Sequence, residues 1–391
     1  MKIMYLSATA GGVLKYIRLL AKKIEENNIK MEEIGKAENK IEQVAVFSTN
    51  HKDMVEKDLD FLNKKIYLNM QSARKLSDNI ELIKSLRKVV EDERPDIIYI
   101  NGSRISYVSR IALKKFKNIR LVFNPHGWVL KSGFNKFFER HFAKYTDVNI
   151  NNSDKELNLA AENKIVPRVE NIKINNGINF KNYEKIHSDE ALKNEVRKKI
   201  RKELEIDDFQ KAVVHLGNIN DKKDPFIFLN ACLAIIKMGY NIKIVMIGDG
   251  ESDIIKKIME FAEENNILDK LIITGWVDNL PEYLISMDIA VSTIKEEDTP
   301  VVLAEYMAAK LPIVANNTDI NGEILDYGKF GKIVEAGDIE DYVLKIQEIF
   351  IENKKENKGI ESAYRYAHTN FNIDSLVKKH LAVFNILYEE K

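Results

Sequence analysis

The chain is 391 residues long and 45% hydrophobic, enough for two cores of ordinary domain size, and its 60 basic side chains balance its 60 acidic ones to a formal net charge of zero. That balance excludes a broad basic surface for nucleic acid. A single cysteine, Cys232, excludes an internal disulfide, and no apolar run reaches membrane-spanning length.

The N-terminal stretch MKIMYLSATAGG lacks the charged, apolar and cleavage regions of a signal peptide, so cytoplasmic residence is the expectation. From there short apolar runs alternate with amphipathic ones, the pattern of repeated strand-helix-strand units. Strands are expected at residues 3–7, 43–48, 65–68, 97–101, 120–124, 148–151 and 172–175, and helices at 13–26, 77–92, 106–116 and 154–163. Gly11 and Gly12 follow the first strand, where backbone can approach a ligand with no side chain in the way. They do not form G-x-G-x-x-G, and no acidic residue follows a second strand in the dinucleotide pattern, which disfavours a nicotinamide or flavin enzyme. His126-Gly127 closes the run RLVFNPHG at a strand's carboxyl end, where active-site residues collect.

Between residues 183 and 206 the chain turns highly charged, as expected of a surface helix lying between two domains. A first domain of residues 1–185 and a second of residues 186–369 follow from that break. The second series has strands at 212–217, 242–248, 271–274, 289–293, 313–315 and 332–334, then helices at 339–352, 359–368 and 373–388. Cys232 falls in an apolar helical run and reads as a small buried hydrophobe. The architecture expected is α/β, two parallel-sheet domains with a helical tail.

Gly217, Asn218 and Lys223 lie where the second series' first strand ends. Lys223 reads either as a solvated lysine in the charged loop DKKD or as a cation for one phosphate. The stretch from Asp288 to Asn316 carries more. An apolar strand leads into a helix that Thr299 can cap and Pro300 can open, with Val301 next, and unpaired N–H groups at such a start favour phosphate. Glu297 and Glu305, seven residues between them, frame that site. The pair reads either as an ordinary surface loop with an exposed helix acid or as carboxylates that would repel a phosphate but accept hydrogen bonds from ribose or sugar hydroxyls, which points to a sugar nucleotide.

These residues resemble the signature of the family 4 retaining nucleotide-sugar glycosyltransferases, the group 1 enzymes of GT-B fold. Glu297, Pro300, Glu305, Met307, Ala308, Pro312 and Ala315 all fall in place. Asn176-Gly177-Ile178, Gly248-Asp249-Gly250, Gly275-Trp276-Val277 and Glu323, Gly331, Gly337 and Asp338 match the family's framework. Asp298 and Lys310 stand where the family usually has glycine, which makes the stretch less permissive, and Asn218 stands where it has arginine, so an uncharged amide replaces a diphosphate cation.

The resemblance implies two Rossmann-like domains facing across a cleft, with a C-terminal helix, residues 370–391, packing back on the first. It implies a donor held by the second domain: Glu305 on the ribose, Lys223 and the helix start at Thr299, Pro300 and Val301 on the diphosphate beside Gly217 and Asn218, and Glu297 on the transferred sugar. The base would meet backbone at Trp276 or Val277, with the Trp276 ring as packing. His126 would face the transferred sugar, and the acceptor would enter by Gly11 and Gly12. Transfer would retain configuration by front-face attack with the leaving phosphate as base. No Asp-x-Asp motif sits at a strand end, so neither cofactor nor obligatory metal is expected. The expected partners are a UDP-sugar, with GDP-mannose behind it, and a saccharide or lipid-linked acceptor in bacterial surface polysaccharide or glycolipid assembly. Two rivals stay open: a sugar-nucleotide-binding protein that has lost catalysis, and a sugar-nucleotide epimerase of similar architecture.

Phe134, Phe137, Phe138, His141, Phe142 and Tyr145 recur at helical spacing, flanked by Lys131, Lys136, Arg140 and Lys144. Such a stripe either covers the sheet with its aromatics in the core or rests on an anionic bilayer at the inner face of the cell membrane.

Overall fold

Strands that are apolar on both faces need cover on both sides, and the chain supplies that cover twice. The computed structural model describes residues 1–9, 11–36, 40–70, 76–130, 132–295, 301–351 and 358–390. By contacts the chain divides into two compact units, Met1–Gly177 with Ile373–Lys391, and Ile178–Asn372.

The first unit runs β1 (Lys2–Ser7), α1 (Gly12–Glu33), β2 (Glu42–Ser48), α2 (Lys52–Asp58), β3 (Lys64–Leu68), α3 (Leu76–Glu93), β4 (Ile97–Asn101), α4 (Ser106–Leu113), β5 (Arg120–Asn124), α5 (Gly133–Ala143), β6 (Val148–Asn151), α6 (Asp154–Glu162) and β7 (Glu170–Lys173). Its strands form one sheet in the order β3-β2-β1-β4-β5-β6-β7, parallel throughout. Alternate residues of β1 serve opposite faces. Ile3 and Tyr5 join a core with Leu14, Ile17 and Leu20 of α1, while Met4 and Leu6 join another with Leu82, Leu86 and Val90 of α3. β7 begins two residues before the apolar run at 172–175, because this edge strand pairs Glu170–Lys173 against Val148–Asn151.

The second unit runs α7 (Lys181–His187), α8 (Glu190–Glu203), β8 (Lys211–Leu216), α9 (Pro225–Lys237), β9 (Ile242–Ile247), α10 (Ser252–Glu264), β10 (Leu271–Ile273), α11 (Leu280–Ile285), β11 (Ile289–Ser292), α12 (Val301–Ala308), β12 (Ile313–Asn316), α13 (Asp319–Ile324), β13 (Lys332–Val334), α14 (Ile339–Ile351) and α15 (Lys358–Phe371). Its parallel sheet has the order β10-β9-β8-β11-β12-β13. Cys232 of α9 is buried in the core on one face, with Phe228, Ile258 and Tyr342.

Two features of the linker region differ from the sequence expectation. The boundary lies at Gly177/Ile178, not 185/186, because Phe180, Tyr183 and Ile186 are buried in the second unit's core with α12 and α15. The charged helix α8 is a core element of that unit too. Val196 and Ile200 enter the core at i, i+4, and Arg197 and Arg201 converge on Asp288 at 3.0 and 3.1 Å.

The chain returns to the first unit through α16 (Ile373–Glu389), whose Leu376, Val377, Phe384 and Leu387 are buried beside α1 and β4. Phe384 lies edge-on to Tyr99, ring centroids 5.7 Å apart. Phe384→Ala leaves a cavity that lowers stability by roughly 3–5 kcal/mol. Calorimetry of the full chain should show a lowered melting transition, and an unshifted one would contradict the anchoring role.

Candidate functional site

In an open parallel sheet, ligands settle outside the carboxyl ends of the strands, where the strand order reverses. The first unit reverses between β1 and β4, the second between β8 and β11. The candidate residues fall at both places.

In the first unit Gly11 caps α1 with φ +69°, and a side chain there or at Gly12 would meet open space. Both are exposed beyond β1. His126 follows β5 with φ +48°, a left-handed backbone rare outside glycine. What holds it is a ring of asparagines. The His126 N–H donates to Asn124 Oδ1 at 3.1 Å, which fixes that amide, so Asn152 Nδ2 donates to the same oxygen at 3.0 Å. Asn152 Nδ2 also donates to His126 Nδ1 at 3.3 Å, and His126 Nε2 therefore carries the proton, donating to Asn101 Oδ1 at 3.0 Å. Burial, with His380 nearby, pushes the His126 pKa down to about 3, so the ring is neutral at physiological pH.

The network continues to α16. His380 Nδ1 donates to the Leu376 carbonyl at 2.8 Å, leaving Nε2 to accept from the Tyr16 hydroxyl at 2.8 Å. Tyr99 lies 3.0 Å from Tyr16 and receives Asn124 Nδ2 at 3.2 Å. No short motif marks this set in the sequence, because its members come from six elements and loops.

In the second unit Gly217 leaves β8 with φ +140° beside Gly248 with φ +135°. A Cβ at Gly248 would stand 2.2 Å from the Gly217 carbonyl oxygen, so the two turns cross only as glycine. Lys223 is half-buried and lies along Gly217, its Nζ 4.0 Å from where a Cβ would be, while Asn218 is exposed. The loop carrying Lys223 is tied to the end of β11. Thr293 Oγ1 donates to the Lys223 and Asp224 carbonyls at 2.7 and 3.0 Å, and the Lys295 ammonium meets Asp224 at 2.7 Å. His215 Nε2 lies 3.3 Å from the same hydroxyl; burial and then the Lys223 charge hold its pKa down to about 4. Thr293, Lys295 and His215 carried no signal in the sequence beyond an apolar run and its end.

Glu297, Thr299 and Pro300 lie outside the described residues, and the structure takes up again at Val301, the first residue of α12, packed on the core. Glu305 accepts a hydrogen bond from the buried Tyr183 hydroxyl at 2.6 Å. Burial raises the Glu305 pKa to about 7, against the pull of that bond. Lys310 ends α12 with φ +55°, the left-handed position for which glycine is best suited, and Leu311 N–H reaches back to the Tyr306 carbonyl at 3.1 Å. Its ammonium pairs with Glu361 at 2.7 Å and covers the Tyr364 ring, offsetting a strain of about 1 kcal/mol.

The Trp276 N–H donates to Asp249 Oδ1 at 3.1 Å, and the side chain is 60% exposed, so the ring is not core packing as expected. Val277 packs against the core. Among the described residues no group of His, Cys, Asp and Glu could hold a metal ion. The aromatic stripe divides: Phe142 is buried while Phe134 and Phe137 are 68% and 62% exposed. Arg110, wholly buried, pairs with Glu139 at 2.9 Å and fixes the face that α5 presents. No helix among the described residues is long and apolar enough to cross a membrane.

The family described as "Glycosyltransferase Family 4" matches residues 10–182, and "Glycosyl transferases group 1" matches residues 196–366. A UDP-Gal:alpha-D-GlcNAc-diphosphoundecaprenol alpha-1,3-galactosyltransferase of Escherichia coli is 25% identical over 285 residues, 68% of this chain and 71% of that protein. An alpha-monoglucosyldiacylglycerol synthase of Streptococcus pneumoniae is 27% identical over 246 residues, 58% of this chain and 54% of that one. Among solved structures, a glycosyltransferase from Rickettsia africae aligns with a TM-score of 0.83 at 16% identity, covering 100% of this chain and 99% of that one. Alr3699/HepE of Anabaena in complex with UDP aligns at 0.79 and 16%, covering 98% and 99%. Two parallel-sheet units and family matches along most of the chain agree: the protein belongs to the group 1, family 4 glycosyltransferases and is a nucleotide-sugar glycosyltransferase of GT-B fold.

Proposed function

We propose that the chain transfers a sugar from a UDP-sugar, with retention of configuration and without a metal ion, to a saccharide or lipid-linked acceptor in assembly of a bacterial surface polysaccharide or glycolipid. The observation that carries this reading is Glu305, an acid with no cationic partner among the described residues, on the helix that follows the strand-order reversal of the second unit. A partly buried carboxylate without a cation is suited to neutral hydrogen-bond donors such as the hydroxyls of a ribose. The E. coli relative uses UDP-Gal and a diphosphoundecaprenol acceptor, and the Anabaena structure holds UDP, which supports the choice of nucleotide and acceptor class.

In this reading Lys223 and the start of α12, with Thr299, Pro300 and Val301, hold the diphosphate, and Glu297 holds hydroxyls of the transferred sugar. Fixed dipoles and one ammonium stabilise the leaving group. The acceptor oxygen bonds to the anomeric carbon as the bond from that carbon to the phosphate oxygen breaks, and the acceptor proton passes to the leaving phosphate. His126 then acts as a neutral hydrogen-bonding group and not as the base. A substrate oxygen that reaches it competes with Asn101 for the Nε2 proton. On α5 the exposed Phe134 and Phe137, with Lys136, Arg140 and Lys144 on or next to the same helix, suit the surface of an anionic bilayer where a lipid-linked acceptor resides.

UDP should raise the melting temperature more than GDP or ADP at equal concentration. With excess EDTA present, Glu297→Ala should abolish transfer while the fold and melting point persist, and near-normal turnover would refute its role. In NMR titrations the His126 ring should stay neutral from pH 8 to 5, since its folded pKa lies below the ordinary 6.5 and the stability it confers fades only as pH falls below that value. Asn152→Asp should bring its midpoint back into that range; a wild-type midpoint near 6.5 would contradict the clamp. Vesicles containing anionic lipid should sediment the protein at low salt, Phe134→Ser with Phe137→Ser should release it, and no sedimentation of the wild type would remove the membrane role.

A further inference from the structure

We propose that Tyr183 is a positioning residue for the donor nucleotide: its buried hydroxyl holds one oxygen of Glu305 so that the remaining acceptor sites of the carboxylate meet the vicinal diol of a ribose. This rests on the ribose role given to Glu305 above.

Tyr183 is 1% exposed, and its hydroxyl donates to Glu305 Oε2 at 2.6 Å across 122 positions of sequence. A carboxylate offers roughly four acceptor sites, so one taken by Tyr183 leaves enough for two hydroxyls and fixes the plane in which they are offered. The phenol is itself held rigidly. His187, one turn further along α7, donates Nε2–H to the Ala308 carbonyl at 2.9 Å, so α7 grips α12 both at Glu305 and one turn beyond it. On the far side Glu184 meets His368 of α15 at 2.7 Å, and Phe180 lies edge-on to the rings of Tyr364 and His368. A tyrosine fixed this way loses little further freedom when ligand arrives.

Among the described residues, Tyr183 is the side chain that bonds to the acid. On α15 the Glu361 carboxylate pairs with Lys310, on α7 Glu184 pairs with His368 and His187 is spent on a carbonyl, and on α11 Glu282 pairs with Lys199. β12 brings no charge, and Tyr306, next to Glu305 on α12, gives its hydroxyl to β8 and β11. Among the described residues no cation pairs with Glu305. Burial raises the acid toward neutrality and the Tyr183 bond opposes the rise. Loss of the hydroxyl therefore both frees the carboxylate to rotate and favours its protonated form, which can accept less from a diol.

The test compares binding of UDP with that of 2′,3′-dideoxy-UDP to the full chain by calorimetry. Hydrogen bonds to a charged group discriminate by roughly tenfold or more per hydroxyl, so the wild type should prefer UDP strongly. Glu305→Gln should erase most of that preference. Tyr183→Phe should cut the preference by roughly tenfold, leave the dideoxy compound's affinity near wild type, and shift the fall in UDP affinity to higher pH. On the unmodified chain the preference should decline as the acid protonates, because the diol favours the ionised form, and in Tyr183→Phe that decline should begin at higher pH. If Glu305→Gln keeps the wild-type preference, the ribose reading fails and this inference with it. If Glu305→Gln erases it but Tyr183→Phe keeps both preference and pH midpoint, or weakens both ligands equally, Tyr183 is structural and only this inference fails.

Discussion

Burial of both faces of each parallel sheet is the constraint on which the rest depends. Once helices cover β1 or β8 on either side, no polar side chain within those strands can reach a ligand, and chemistry is left to the loops at the carboxyl edges. The same strand order, reversing next to the first strand of each unit, opens one such edge in each. His126 and the Gly11-Gly12 turn follow from it in the first unit, Lys223 and Glu305 in the second.

The polar groups at these edges share a physical character. His126 and His215 are kept neutral by burial, and Glu305 is lifted toward neutral pH by the same cause. Imidazoles whose pKa values are held down are weak bases but good fixed hydrogen-bonding partners. That suits a reaction in which hydroxyl-rich substrates are aligned and the charge that develops falls on a departing diphosphate. The network from His126 through Asn152, Asn124, Tyr99 and Tyr16 to His380 ties the final helix to the asparagines around His126.

Much of the fold was legible because doubly buried strands are written as apolar runs. Residues 97–101, 120–124, 148–151 and 332–334 coincide with β4, β5, β6 and β13. The charged α8 reads as a surface helix because its core-facing residues Leu192, Val196 and Ile200, four apart, stand amid charged neighbours that mask the stripe. The site was legible where a local signal exists, at a strand end followed by a helix start or a glycine. It was not legible where the contacts join residues distant in sequence. Tyr183 sits in a charged segment with nothing beside it to suggest that it meets Glu305, and the asparagines around His126 are each ordinary strand-end residues. Trp276 misled because an indole next to a core valine suggests packing, whereas the turn after β10 points it outward.

A nucleotide diphosphate held at the strand-order reversal of the second unit would shield the loops around it. Amide hydrogen exchange of the full chain with and without UDP reads that shielding. Slowed exchange is expected to concentrate at residues 217–224 and 293–305. Slowing confined to the first unit, or to the opposite, amino-terminal edge of the second sheet, would contradict it.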